Sequence, residues 1–154
     1  MGKDVSRGNV ANSEVASVRT AVGYVRVSTD MQAIDGLSLD AQRYAIQTYC
    51  SINGIRLIKI CQDIESGGKA DRVGLADALS VKADVVVVLK FDRVSRSIKH
   101  FCEMYEEHFA DGSKELVAIR ESIRLDSALG RALVSILLVF AQMEREATGE
   151  RTRE

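Results

Sequence analysis

Val85-Val86-Val87-Val88-Leu89, followed directly by Lys90-Phe91-Asp92-Arg93-Val94-Ser95-Arg96, decides the reading of this chain. A strand with one wet face alternates apolar and polar residues. An unbroken apolar, β-branched run suits a strand covered on both faces, as in a parallel sheet. The charged segment after it marks the place where the chain leaves that sheet.

Upstream, Ala21 to Val27 is a second apolar run suited to a buried strand. Ala41, Tyr44, Ala45, Thr48, Tyr49 and Ile52 then fall at helical spacing, with Ser38 as N-cap and Gly54 as stop. Ile55 to Cys61 reads as a strand, Asp63 to Arg72 as a loop holding Gly67 and Gly68, and Leu75, Ala78 and Leu79 as a short helix. Downstream, a helix from about Ile98 to Ala110 is closed by Gly112, and Leu116 to Ile119 is a fourth strand. This alternation predicts an α/β fold with a mostly parallel central sheet flanked by helices and right-handed crossovers.

The ends differ from this middle. Residues 1–18 are polar and aperiodic and read as a flexible leader. Residues 19–126 form the α/β unit. Residues 127–154 contain no proline and read as one long helix. About 25 helical residues extend about 38 Å, against a radius of gyration of about 15 Å for a domain of this size, so the helix should project. Leu133, Val134, Ile136, Leu137, Leu138, Val139, Phe140 and Met143 cover nearly its whole circumference. One domain covers one side, so a second chain is expected on the other. The competing reading is a central helix of a larger core.

The 154 residues suit one domain, and no apolar run reaches the roughly 20 residues of a membrane span. The N-terminus lacks a signal peptide's apolar segment, so a soluble, cytoplasmic protein is expected. Cys50, Cys61 and Cys102 show no ligand spacing and read as buried thiols, with no metal and no cofactor expected. The net charge of −1 gives no nucleic-acid signal by itself, so any action on DNA must use a local basic site.

Ligands of open α/β sheets lie beyond the carboxyl ends of the strands. Three such ends carry Arg26-Val27-Ser28-Thr29 with Gln32, then Glu65 to Arg72, then Lys90 to Arg96. If the three loops share one edge, Arg26, Arg72, Arg93 and Arg96 gather around the Ser28 hydroxyl. Arginine's planar fork matches phosphate oxygens and keeps its charge, and a serine can carry a covalent phosphoryl intermediate. No G-x-x-x-x-G-K-[ST] loop, G-x-G-x-x-G or G-x-S-x-G occurs. A receiver domain would need acidic residues where Arg26 and Ser28 stand. His100 and His108 read as structural or exposed residues.

These segments resemble the serine recombinases, the family of resolvases, invertases and large integrases. Gly23 to Thr29 is similar to the nucleophile motif, Asp71-Arg72-x-Gly74-Leu75 to the second arginine motif and Leu89 to Arg96 to the third. Gly130-Arg131, Phe140 to Glu146 and Glu150-Arg151-Thr152 resemble the long dimer helix. The resemblance implies that Ser28 is the nucleophile and that Arg26, Arg72, Arg93 and Arg96, with Lys90, hold the DNA phosphate. It makes Gln32 and Asp92 supporting residues and puts Leu133, Ile136, Leu137, Phe140, Met143, Glu144 and Arg145 at a subunit interface. It further implies metal-independent cleavage and religation of double-stranded DNA through a 5′-phosphoserine, by a homodimer that assembles into a tetramer.

Gly36 to Gln42 and Glu121 to Asp126 resemble the large serine recombinases more than the compact resolvases. A leader too short for a DNA-binding domain and a chain that stops within a helix at Arg153-Glu154 lead to the expectation of a fragment whose DNA-binding region follows, which would also account for the near-neutral charge. A prokaryotic, phage or mobile-element source is expected from the resemblance. The proton acceptor for Ser28 stays open, since Asp92 beside Arg93 should be a weak base. Two alternatives stand beside this reading. One is a catalytically silent DNA-organising or oligomerisation module on the same fold. The other is a magnesium-dependent phosphotransfer domain using Asp63 and Glu65.

Overall fold

The computed structural model describes residues 17–28, 38–65, 71–95 and 97–151, the last with side chains to Thr148. Its elements run β1 (Thr20–Ser28), α1 (Leu39–Ile52), β2 (Arg56–Glu65), α2 (Val73–Ser80), β3 (Val85–Val88), a 3₁₀ turn (Phe91–Arg93), α3 (Ile98–His108), β4 (Glu115–Ala118), β5 (Ile123–Arg124) and α4 (Ala128–Arg151). The sheet has the order β2-β1-β3-β4-β5, with the first four strands parallel and β5 antiparallel to β4.

Strand periodicity builds a layer on each face. Val85 and Val87 join Ala21, Val25 and Val117 against Ile46 and Cys50 of α1. Val86 and Val88 join Val22, Tyr24 and Leu116 against α2, α3 and α4, through Leu75, Phe101, Met104 and Val134. The valine run has no polar alternate because both of its faces are interior. Among the described residues, all three cysteines are free and buried, and no helix is long and apolar enough to cross a membrane.

Ser38 and Ser97 cap α1 and α3, their hydroxyls accepting from the amides of Ala41 and His100. Ser127 does the same for α4 by accepting from Gly130 N–H at 3.0 Å. Gly54 and Gly112 have φ of 64° and 73°, the left-handed region that lets each chain turn out of its helix.

Four expectations change. The buried stripe of α1 is Gln42, Ile46 and Cys50, while Tyr44 and Ile52 face solvent. β2 runs on to Glu65, because Asp63 and Glu65 are buried with partners across the sheet. α3 stops at His108, before Ala110. The unanticipated β5 is two residues long and held by Val117↔Arg124 and Ala118↔Ile123.

Two glycines are required by close approach. A Cβ on Gly74 would lie 2.3 Å from the Gln62 carbonyl oxygen, and one on Gly130 would lie 2.0 Å from that of Arg124. Both obstacles are backbone and cannot swing away. Gly→Ala inside a helix ordinarily stabilises by about 1 kcal/mol. Gly74→Ala should instead destabilise by about 2 kcal/mol or more. In urea unfolding the midpoint should then fall by roughly 1 M; an unchanged or higher midpoint would show that α2 can move off β2.

Candidate active site at the carboxyl edge of the sheet

The strand order reverses direction between β1 and β3, so the crevice for a ligand opens beyond their carboxyl ends. Ser28, half-buried, is the last residue of β1. Period two puts Val22, Tyr24, Arg26 and Ser28 on one face of the strand, the face covered by α2, α3 and α4. The other face meets α1, whose Gln42 is fully buried and grips the β1 backbone. Its side chain accepts from Arg26 N–H at 3.2 Å and donates to the Arg26 carbonyl at 3.0 Å.

Two arginines, Arg26 and Arg72, reach the segment after β3, which itself carries Arg93. Arg26 donates from Nη2 to the Asp92 carbonyl at 2.9 Å and from Nε to the Arg93 carbonyl at 3.3 Å. Its Nη1 meets Glu65 Oε2 at 2.9 Å. Arg72, at the start of α2, donates to the Val94 carbonyl at 2.7 Å. Carbonyls 92, 93 and 94 are thus tied in succession to β1 and α2. Burial, and then the charge of Arg26, hold the Arg72 guanidinium below its ordinary pKa.

Arg93 is itself only 2% exposed, as is Arg26. The half-exposed Asp92 carboxylate lies 3.7 Å from Arg93 Nε and 3.7 Å from Lys90 Nζ. Three of the expected phosphate-binding arginines therefore meet at one edge. Arg26, however, has each guanidinium nitrogen directed to a protein acceptor. Those three bonds fix the guanidinium between β2 and the turn after β3. Gln32 and Arg96 lie outside the described residues.

Asp63 holds the neighbouring corner. Its carboxylate accepts from Tyr24 Oη at 2.8 Å and from the amides of Gly74 at 2.8 Å and Leu75 at 3.0 Å, at the amino end of α2. Burial and the bond to Asp63 push the Tyr24 phenol well above its ordinary range. Asp63 and Glu65 are thus engaged in bonds within the fold, which counts against a magnesium site built on them. His100 meets Ser95 Oγ through Nδ1 at 3.3 Å, and burial and Arg72 depress its pKa.

On α4, Gly130, Val134 and Ala141 are buried, and Leu137 and Leu138 pack partly against the domain's own core. Leu129, Ile136, Val139, Phe140 and Met143 are exposed, as are Glu144 and Arg145, and Leu133 is intermediate.

Residues 21–154 match the family model described as Resolvase, N terminal domain. The chain belongs to the resolvase family. It is 33% identical to the transposon Tn917 resolvase of Enterococcus faecalis over 132 residues, which cover 84% of this chain and 65% of that protein. It is 37% identical to the transposon Tn3 resolvase of Escherichia coli over 138 residues, covering 86% and 67%. The solved N-terminal catalytic domain of TP901-1 integrase superposes with a TM-score of 0.73 at 29% identity, covering 84% of this chain and 99% of that one. The family domain is thus similar to resolvases and to an integrase catalytic domain, and it spans about two thirds of the length of these resolvases.

Sequence reasoning missed Gln42 and the bonded roles of Asp63 and Glu65. A signal for Gln42 was present: it stands four and eight residues before Ile46 and Cys50, a polar residue on an apolar helical stripe.

Proposed function

We propose that this domain is the catalytic part of a serine site-specific recombinase, encoded by a prokaryote, phage or mobile element, that acts on double-stranded DNA in the cytoplasm. The observation that carries the reading is a half-buried serine at the end of β1, beside a loop tied down by arginines on the same face. The family membership of residues 21–154 supports it.

In the reaction, Ser28 Oγ attacks the scissile phosphorus and displaces the 3′ oxygen, leaving a 5′-phosphoserine linkage. Subunits exchange, and the freed 3′ hydroxyl attacks the phosphoserine to religate. The ester keeps the energy of the broken bond, so neither ATP nor a metal is required. Charge builds on the phosphoryl oxygens in the transition state, where each fixed cation contributes about 3 kcal/mol. Arg72 and Lys90, both partly exposed, are assigned direct phosphate contact together with Arg96. Arg26 and Arg93 supply buried positive charge beneath the phosphate, and Arg26 ties down the loop.

The exposed stripe of α4 is assigned to the homodimer and, beyond it, to a synaptic tetramer. Leu129, Ile136 and Met143 are seven residues apart with Val139 between, the spacing of a helix-on-helix seam.

The test is a covalent product. Full-length protein carrying this chain, incubated with DNA sites that it selects from a random pool, should yield cut DNA attached to protein in denaturing gels, undiminished by excess chelator. Peptide mapping should place the attachment on Ser28. Cleavage without attachment, or cleavage lost on metal removal, would overturn the mechanism. Binding without any cleavage would favour a silent DNA-organising module.

A further inference from the structure

The recombinase reading leaves the proton of Ser28 without a destination, and the β1–β2 ladder supplies one. In that ladder Tyr24 is opposite Cys61, Arg26 is opposite Asp63 and Ser28 is opposite Glu65. Cys61, Asp63 and Glu65 are the buried alternation of β2, on the face that Tyr24 and Arg26 share. Neighbouring strands lie about 4.8 Å apart, well within the reach of a glutamate side chain toward the residue directly across from it. We propose, on the strength of the recombinase reading, that Glu65 accepts the proton of Ser28 during strand cleavage and returns it during religation.

Asp92, another carboxylate at this edge, is less well placed. The β1–β3 ladder ends at Tyr24↔Val88, four residues short of Ser28, whereas the β1–β2 ladder runs to Ser28 itself. Asp92 has a half-exposed side chain, while Glu65 is 7% exposed and shielded from competing water.

A carboxylate held by Arg26 at 2.9 Å would by itself be a weak base. The charged groups gathered about this pair are Arg72 at the start of α2, Asp63 on β2, and Asp92 and Arg93 in the turn. A phosphodiester arriving at this edge adds a negative charge that offsets Arg26, so the basicity of Glu65 rises when substrate is present. Coupling of this kind keeps Ser28 protonated until there is a phosphorus to attack.

The step balances. The Oγ–H bond of Ser28 breaks, its electron pair forms the Oγ–P bond, and the proton passes to Glu65. The P–O3′ bond breaks with its pair on O3′, which takes a proton from solvent while Glu65 releases one to solvent. Religation runs the same transfers in reverse.

The experiment is single-turnover cleavage of the selected DNA sites by the full-length protein between about pH 5 and 9. The wild-type rate should fall about tenfold per pH unit on the acid side, as Glu65 is protonated. Glu65→Gln should cleave about 100-fold more slowly or worse at neutral pH, lose that acid limb, and bind DNA as before. Glu65→Asp keeps the counter-charge for Arg26 but draws the carboxylate back. It should be about tenfold slower, with the limb kept and moved to lower pH, as the lower intrinsic pKa of aspartate dictates. A folded Gln variant with the wild-type rate, or with the wild-type limb, overturns the proposal. If Gln leaves Arg26 without its buried counter-charge and the protein does not fold, the Asp variant decides, and a wild-type rate or an unmoved limb overturns it. Absence of covalent product from the wild type would instead bring down the recombinase reading on which this proposal stands.

Discussion

Ser28→Ala is expected to abolish the covalent protein–DNA product completely while leaving site binding and folding nearly intact. The side chain is half-buried at the last residue of β1. The hydroxyl is not part of the backbone ladder that joins Ser28 to Glu65, so its removal should change stability by no more than about 0.5–1 kcal/mol. Alanine offers no nucleophile, and a water that took its place could hydrolyse DNA but could not leave an ester to the protein. Arg93→Ala is the instructive contrast. It should also stop cleavage, but Arg93 is buried, and truncating it opens a void that costs about 2 kcal/mol or more. Thermal unfolding beside the gel assay separates the two: loss of product at unchanged melting for Ser28, loss of both for Arg93. Protein still attached to nicked DNA in the Ser28→Ala variant would move the nucleophile elsewhere.

That contrast marks how far the sequence was legible. The valine run could be read because burial on both faces removes every polar residue from that strand, a local signal, and Ala21 to Val25 carry the same signal up to Arg26. The grouping of Arg26, Arg72 and Arg93 at one edge followed from strand ends in a parallel sheet, with Arg26 and Arg72 bonded to the carbonyls of 92 to 94. The anchoring of Arg26 and Arg72 was not readable. It depends on main-chain acceptors some 20 to 70 residues away in sequence, which no residue type announces.

The same limit explains the errors in β2 and α1. Asp63 and Glu65 looked like the start of a loop because carboxylates are rarely buried unless paired. Their partners, Tyr24, Arg26 and the amides of Gly74 and Leu75, come from other elements. Gln42 disguised the inner face of α1 for the same reason, since its amide is satisfied by the backbone of Arg26. In each case a polar residue broke the hydrophobic period at a point that positions the candidate site. β5 failed differently, since two residues carry no period and exist as a strand only through β4.

The paired substitution Ile136→Glu with Phe140→Glu on α4 is expected to abolish self-association at ordinary working concentrations and, with it, all cleavage. The helix of 24 residues has two faces of different fate. Val134 and Ala141 are 3% and 2% exposed and belong to the core beneath the sheet. Ile136 and Phe140, one turn apart, are 54% and 51% exposed, so charge there meets water in an isolated domain and melting should be nearly unchanged. In an interface the same residues would each contribute about 1.5–3 kcal/mol of burial, and two unpaired carboxylates in their place add a penalty of similar size or larger. Association should weaken by at least about 100-fold, since about 2.7 kcal/mol already corresponds to that factor. Cleavage should vanish with Ser28, Arg72 and Arg93 all intact, because a synapse requires the assembled subunits. Val134→Glu is the control: it buries its charge inside the domain and should unfold it. Sedimentation of wild type and both variants over a concentration series reads the outcome directly. If the Ile136/Phe140 variant associates as the wild type does, the exposed stripe of α4 is not the subunit interface, and the assembly must be built on another face of the domain.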